Sequence, residues 1–154
     1  MSDDPAAAIP GLDAEAAAFL VAQRVGRLAT CGSDGAPHVV PVCFAWDPDR
    51  LRLYIALDAK PKRVDVRRLK RVRNILANPQ AALVCDHYEE DWARLRYVLV
   101  HATAGLLEPG MPEHAAALVL LRAKYPQYRA MALEANPVIA LIPARVSAWA
   151  GAAA

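Results

Sequence analysis

The chain has 154 residues, 56% hydrophobic and 22% charged, with 18 Lys/Arg against 16 Asp/Glu for a formal net charge of +2. That length and balance suit one folded domain with a sizeable core, and a total so near neutral argues against a dedicated nucleic-acid binder. No apolar run approaches the roughly 20 residues that span a bilayer, and the acidic opening Met1-Ser2-Asp3-Asp4 has no basic or apolar signal region, so a cytoplasmic protein is expected.

Residues 1–12 read as a flexible tail and 13–150 as one domain, with no internal repeat or linker. Asp13 is placed to cap a helix over 14–23. Residues 25–31 follow as a strand. Gly32-Ser33-Asp34-Gly35 predicts a hairpin turn, because Asp-Gly supplies positive φ angles. A second strand is expected over 38–46, a turn at Asp47-Pro48-Asp49-Arg50, and a third strand over 51–57. Leu51, Leu53, Ile55 and Leu57 alternate there onto one face. These three strands predict an antiparallel meander.

Asp65 is placed to cap a helix over 66–77 with Leu69, Val72, Ile75 and Leu76 as its apolar stripe and Arg67, Arg68, Lys70 and Arg71 on the other faces. Asn78-Pro79 ends it. Strands over 81–87 and 94–106 flank a loop containing Glu89-Glu90-Asp91-Trp92. A helix from Pro112 to Lys124, a short helix over 126–134 and a last strand over 138–149 complete the chain. About six short strands and no glycine-rich phosphate turn disfavour a Rossmann fold. The pattern predicts an α+β fold, mainly β: a small antiparallel barrel with peripheral helices.

Catalytic motifs are sparse. Cys31, Cys43 and Cys85 show no CxxC spacing and read as reduced buried thiols. His38, His87, His101 and His114 are scattered without metal-ligand spacing, so no metal is expected. No nucleophile elbow, P-loop or kinase motif is present. So plain a chain suits either a binding module or an enzyme whose cofactor supplies the chemistry.

One segment stands apart. Residues 60–73 hold eight Lys/Arg and one acid, while the remaining 10 basic and 15 acidic residues leave the rest of the chain net negative. Three readings compete: a solvated helix face, a nucleic-acid contact, and a clamp for a phosphate or polycarboxylate. Pro61 stiffens the loop between Lys60 and Lys62, which lowers the entropy cost of converging Lys60, Lys62 and Arg63 on one anion.

The strand at 51–57, the Lys60-Pro61-Lys62-Arg63 loop, the helix ending Asn74-Ile75-Leu76-Ala77-Asn78-Pro79 and the strand Ala81-Ala82-Leu83-Val84 together resemble the split β-barrel flavin/deazaflavin oxidoreductase superfamily, which includes pyridoxamine 5'-phosphate oxidase. Val25-Gly26-Arg27-Leu28-Ala29-Thr30 followed by Asp34-Gly35-Ala36-Pro37-His38-Val39-Val40-Pro41-Val42 is similar to it as well. Asp86-His87-Tyr88-Glu89-Glu90-Asp91-Trp92 resembles its probable F420-dependent branch.

The resemblance implies a six-stranded split barrel, and a homodimer with cofactor sites at the interface. It implies that Lys60, Lys62 and Arg63 grip the cofactor phosphate. Backbone groups of Val40, Pro41 and Val42 and of Ile55, Ala56 and Leu57 would line the ring. Trp92, Arg96 and Tyr97 would reach the same site from the second subunit. Arg67 and Arg68 would meet the acidic tail of F420, because several carboxylates need more cations than one phosphate. The implied activity is hydride transfer between F420, or alternatively FMN, and a small organic substrate, with no catalytic residue identifiable. A non-catalytic cofactor carrier and a haem-binding split barrel are the rival readings. No second basic cluster stands near the C-terminus to hold pyridoxal phosphate, so vitamin B6 oxidation is not expected.

Overall fold

The computed structural model describes residues 8–58 and 65–152. Helix α1 spans Ala14–Ala22, and the Asp13 carboxylate accepts from Ala16 N–H at 2.8 Å, as its cap position predicts. Strands β1 (Gly26–Cys31) and β2 (Pro37–Val42) form the expected hairpin, with Gly26 opposite Val42 and Cys31 opposite Pro37. Gly35 takes φ +72° in the turn, the left-handed region its lack of a side chain permits.

The expected strand over 38–46 is two strands, β2 and β3 (Ala45–Asp47). The break falls at Cys43 and Phe44. Phe44 N–H donates to the Tyr125 hydroxyl at 3.0 Å, and that hydroxyl lies 3.0 Å from Phe44 O, so a side chain takes the place of a ladder partner. Strand β4 is Arg52–Ala56. Leu51 is not on the core face: it closes the turn before β4 at φ +55° and is 43% exposed.

The two hairpins of the expected meander form, β1 with β2 and β3 with β4, but the broken middle strand sends them to opposite edges of the sheet. After α2 (Lys70–Ala77) come β5 (Gln80–His87), β6 (Arg96–Leu107), α3 (Pro112–Lys124) and β7 (Val138–Ala150). All pairings are antiparallel, in the order β2-β1-β5-β6-β7-β4-β3. Thus β4 pairs with β7, Leu53 opposite Leu141, and β2 pairs with β1 alone among the described residues. The sheet has seven strands, one more than expected, because of the break at Cys43. Its two edge strands are consecutive in the chain. The Cys43-Phe44 link therefore brings the edges back toward each other without a ladder between them, which is a split barrel.

One core fills the barrel, with Leu28, Val42, Phe44, Leu53, Ile55, Leu57, Leu83, Val100 and Leu141 all buried. A second cluster lies outside it, where Tyr54 and Ala56 of β4 and Val138 of β7 meet Leu118 and Leu121 of α3 and Tyr125 just beyond it. Ile9, in the expected tail, is buried in the barrel core. The helix expected over 66–77 is interrupted. Asp65 caps a short 3-10 turn, Val66–Arg68, its carboxylate accepting from Arg67 N–H at 3.0 Å. Leu69 is then extended and α2 begins. Val72 and Ile75 are buried as expected, but Leu76 is 66% exposed, and Asn74 takes a buried place by donating to Thr30 Oγ1 at 3.1 Å. The expected helix over 126–134 is a 3-10 turn, Pro126–Ala130. Among the described residues no helix is long and apolar enough to cross a membrane.

Candidate functional site

Lys60, Lys62 and Arg63 lie outside the described residues. What brackets them is described. Strand β4 delivers the chain to Leu57 and the exposed Asp58, and Asp65 receives it again at the 3-10 turn. Arg67 turns away from this mouth toward Glu108, Nη1 to Oε1 2.9 Å, and its guanidinium holds the Glu108 carboxyl below its usual range. Arg68 is exposed.

The helical pattern puts Arg71 on a face away from the apolar stripe, yet its side chain is half-buried, and its Nε is buried with no hydrogen-bond partner among the described residues. Burial pulls its pKa down, and Asp58 and Tyr128 nearby pull the other way. The signal for it was the spacing to Ile75: four residues apart on a helix, the two share a side. A half-buried guanidinium whose Nε has no partner among the described residues is a group that an oxyanion fits.

The six proposed ring-lining positions fall on two strands. Val42, Ile55 and Leu57 are buried in the one barrel core and Val40 packs against it, whereas Ala56 faces the outer cluster and Pro41 is exposed. Strand β2 is a sheet edge, so its outer backbone groups have no ladder partner among the described residues. Pairing of β3 with β4 ends at Ala45 opposite Tyr54, which leaves Ile55, Ala56 and Leu57 without a ladder on that side. Leu57 O instead accepts from Asn136 Nδ2 at 2.8 Å. The seam of the split barrel is thus lined by backbone amides and carbonyls facing no strand. A flat heterocycle with its own donors and acceptors fits such groups.

Trp92, Arg96 and Tyr97 gather elsewhere, where the start of β6 meets the end of β7. Tyr97 stacks on Trp149 with ring centroids 6.1 Å apart. Arg96 pairs with Glu15 at 2.9 Å and lies over the Phe19 ring. Trp92 is 69% exposed in a 3-10 turn. Arg96, Tyr97 and Trp149 wall a cavity of about 120 Å³ with Asp13 and Phe19. Within one chain these residues and the seam share no described cavity.

Chemically reactive groups are few. Among the described residues no cluster of His, Cys, Asp or Glu is arranged to hold a metal. His114 is buried and bonded through Nε2 to Asn136 O at 2.7 Å, a structural role. Burial pushes the Cys85 thiol up to about 12. Lys124 is the unusual group: its Nζ is buried without a hydrogen-bond partner among the described residues, 4.0 Å from the Phe44 ring centroid. Burial, with Arg24 adding repulsion, pulls it down to about 8.

Comparison with known proteins fits this geometry. The family described as pyridoxamine 5'-phosphate oxidase matches residues 12–150. A 5a,11a-dehydrotetracycline/5a,11a-dehydrooxytetracycline reductase of Streptomyces rimosus is 38% identical over 93 residues, covering 60% of this chain. The chain spans only 61% of that relative's length. A solved structure described as an F420 reductase is 26% identical with a TM-score of 0.59, over 84% of this chain and 94% of the other. A conserved hypothetical protein of Mycobacterium tuberculosis shares the fold at a TM-score of 0.71 and 20% identity, over 92% of this chain and 86% of the other. The heme storage protein HutZ of Vibrio cholerae shares it at 0.68 and 14%, over 90% and 94%.

Proposed function

This chain belongs to the pyridoxamine 5'-phosphate oxidase family, and from that premise we propose that it is an F420-dependent oxidoreductase acting on a small organic substrate as a homodimer. The observations that carry the proposal are the Lys/Arg segment of the sequence between Asp58 and Asp65, the Arg71 Nε buried without a hydrogen-bond partner among the described residues, and the unladdered end of β4 that leads into the segment. When bound, the deazaflavin supplies or accepts the hydride.

The chain's own residues bind and orient. Lys60, Lys62, Arg63 and Arg71 hold the phosphate, with Arg68, and Arg67 once released from Glu108, for the acidic tail. Backbone groups of Val40, Pro41 and Val42 and of Ile55, Ala56 and Leu57 that face no ladder hold the ring edge, the Leu57 carbonyl being already bonded to Asn136. Trp92, Arg96 and Tyr97 complete the site from the second subunit, which accounts for their distance from the seam within one chain. The chain's likeness to a dehydrotetracycline reductase and to an F420 reductase supports reduction of an unsaturated substrate as the direction of the reaction.

Fluorescence titration of the pure protein with F420 and with FMN tests this reading. Saturable F420 binding is expected, and Arg71→Gln should weaken it at least tenfold by leaving the anion one donor short. Tight FMN binding with no F420 binding overturns the deazaflavin assignment.

A further inference from the structure

The chain leaving β4 is held by a side chain where a ladder would be expected. Toward β3, pairing ends at Tyr54, opposite Ala45. Toward β7, it ends at Ala56, opposite Val138. The next position in register sets Leu57 opposite Pro137, which has no N–H to donate. Leu57 is buried, so an unpaired carbonyl there would be costly. Asn136 supplies the missing donor, its Nδ2 lying 2.8 Å from Leu57 O.

Asn136 is itself fixed on both sides of its backbone. Its N–H donates to Leu133 O at 3.1 Å, and its carbonyl accepts from His114 Nε2 at 2.7 Å. A carbonyl only accepts, so the Nε2 of His114 carries the proton. His114 is buried in the first turn of α3. A continuous run of bonds therefore leads from α3 through His114 and Asn136 to the carbonyl just past β4.

The placement bears on the seam. Backbone groups left free for a ligand cannot be stiffened by a ladder on the side that meets it. Stiffness at Ile55, Ala56 and Leu57 has to come from the opposite side, and there Pro137 ends the ladder. A site built from backbone groups gains affinity when those groups are held before the ligand arrives.

We propose that Asn136, oriented by His114, is a positioning residue of the cofactor site, acting through the Leu57 carbonyl without touching the cofactor. The inference rests on the cofactor reading above and adds to it two residues on the far side of β4.

Fluorescence titration of the full chain and its variants with F420 tests it, with FMN as the probe if the parent binds FMN alone. Asn136→Ala and His114→Phe should each weaken binding about tenfold, the scale of one lost increment of pre-organisation. His114→Gln keeps an N–H close to the place of Nε2 and should retain most of the affinity. Leu121→Ala is the control for lost stability. It truncates the outer cluster two turns further along α3 and should bind as the parent does, although urea unfolds it earlier. If Asn136→Ala does not fold, the two His114 variants decide. Unchanged affinity in Asn136→Ala, equal affinity in His114→Phe and His114→Gln, or an equal loss in Leu121→Ala overturns the proposal. A parent that binds neither F420 nor FMN overturns the cofactor reading and the proposal with it, which separates that failure from the others.

Discussion

The two faces of strand β4 are built on different physics. Leu53, Ile55 and Leu57 enter the barrel core, which is almost wholly apolar. Tyr54, between them, faces α3 and is fully buried in a charged network. Its hydroxyl lies 3.0 Å from Asp47 Oδ2 and 2.9 Å from Glu113 Oε1, and it has one proton for two carboxylates. Arg50 and Arg52 neutralise those carboxylates. The inner face is held by burial, which needs only the right size and apolarity. The outer face depends on partners from three elements arriving together. Polar burial of that kind stabilises only when every member is satisfied.

Truncation on the inner face separates the two most strongly. Leu53→Ala should cost about 3 kcal/mol in urea unfolding, through lost transfer energy and the cavity left behind. A cost no larger than that of deleting the Tyr54 hydroxyl would erase the distinction.

The second effect has the opposite sign. Lys124 places an amine in an apolar setting beside Phe44, and its pKa is pulled down to about 8 by burial and by Arg24. A depressed lysine pKa means that the folded state binds the proton less readily than the unfolded chain. The cost is therefore complete below about pH 8 and is relieved as pH rises toward the ordinary lysine value near 10.4. Lys124→Met should stabilise the protein by about 2 kcal/mol at pH 7, allowing for partial exposure of the side chain. The difference from the parent should close above about pH 10.5. A pH-independent gain would assign the effect to packing instead.

The smallest of the three is Tyr54→Phe, expected to cost about 1.5 kcal/mol at neutral pH through a lost hydrogen bond to charged groups. It also carries a pH signature. Burial raises the Asp47 carboxyl, but hydrogen bonds from Arg50, Tyr54 and Asp49 outweigh it and hold the group below its ordinary value. Stability from Asp47 is then full above the unfolded value of about 3.9 and is lost as pH falls through the lower folded value. Removing the hydroxyl should make that acid loss shallower. An unchanged acid limb in Tyr54→Phe would show that Arg50 alone sets the Asp47 carboxyl.

Much of the inner face was legible in the sequence. The alternation of Leu53, Ile55 and Leu57, the Asp-Gly hairpin and the bounds of α3 follow from local pattern, and the fold class with them. The strand order was not legible. The partner of β4 is β7, with Leu53 opposite Leu141, and nothing local to residues 51–57 encodes it. The break at Phe44 depends on Tyr125, 81 residues away, so a continuous apolar run reads as one strand until that hydroxyl arrives. For the site, composition pointed to residues 60–73, and the charge of Arg71 grouped it with the other cations of the segment although its spacing to Ile75 puts it on the buried side.

The proposal that a cationic segment and an unladdered seam, completed by a second subunit, hold F420 is open to native mass spectrometry of the protein purified from a host that makes F420. A dimer carrying two F420 molecules is expected. A monomer with no cofactor, or a dimer carrying a flavin mass in place of F420, would contradict it.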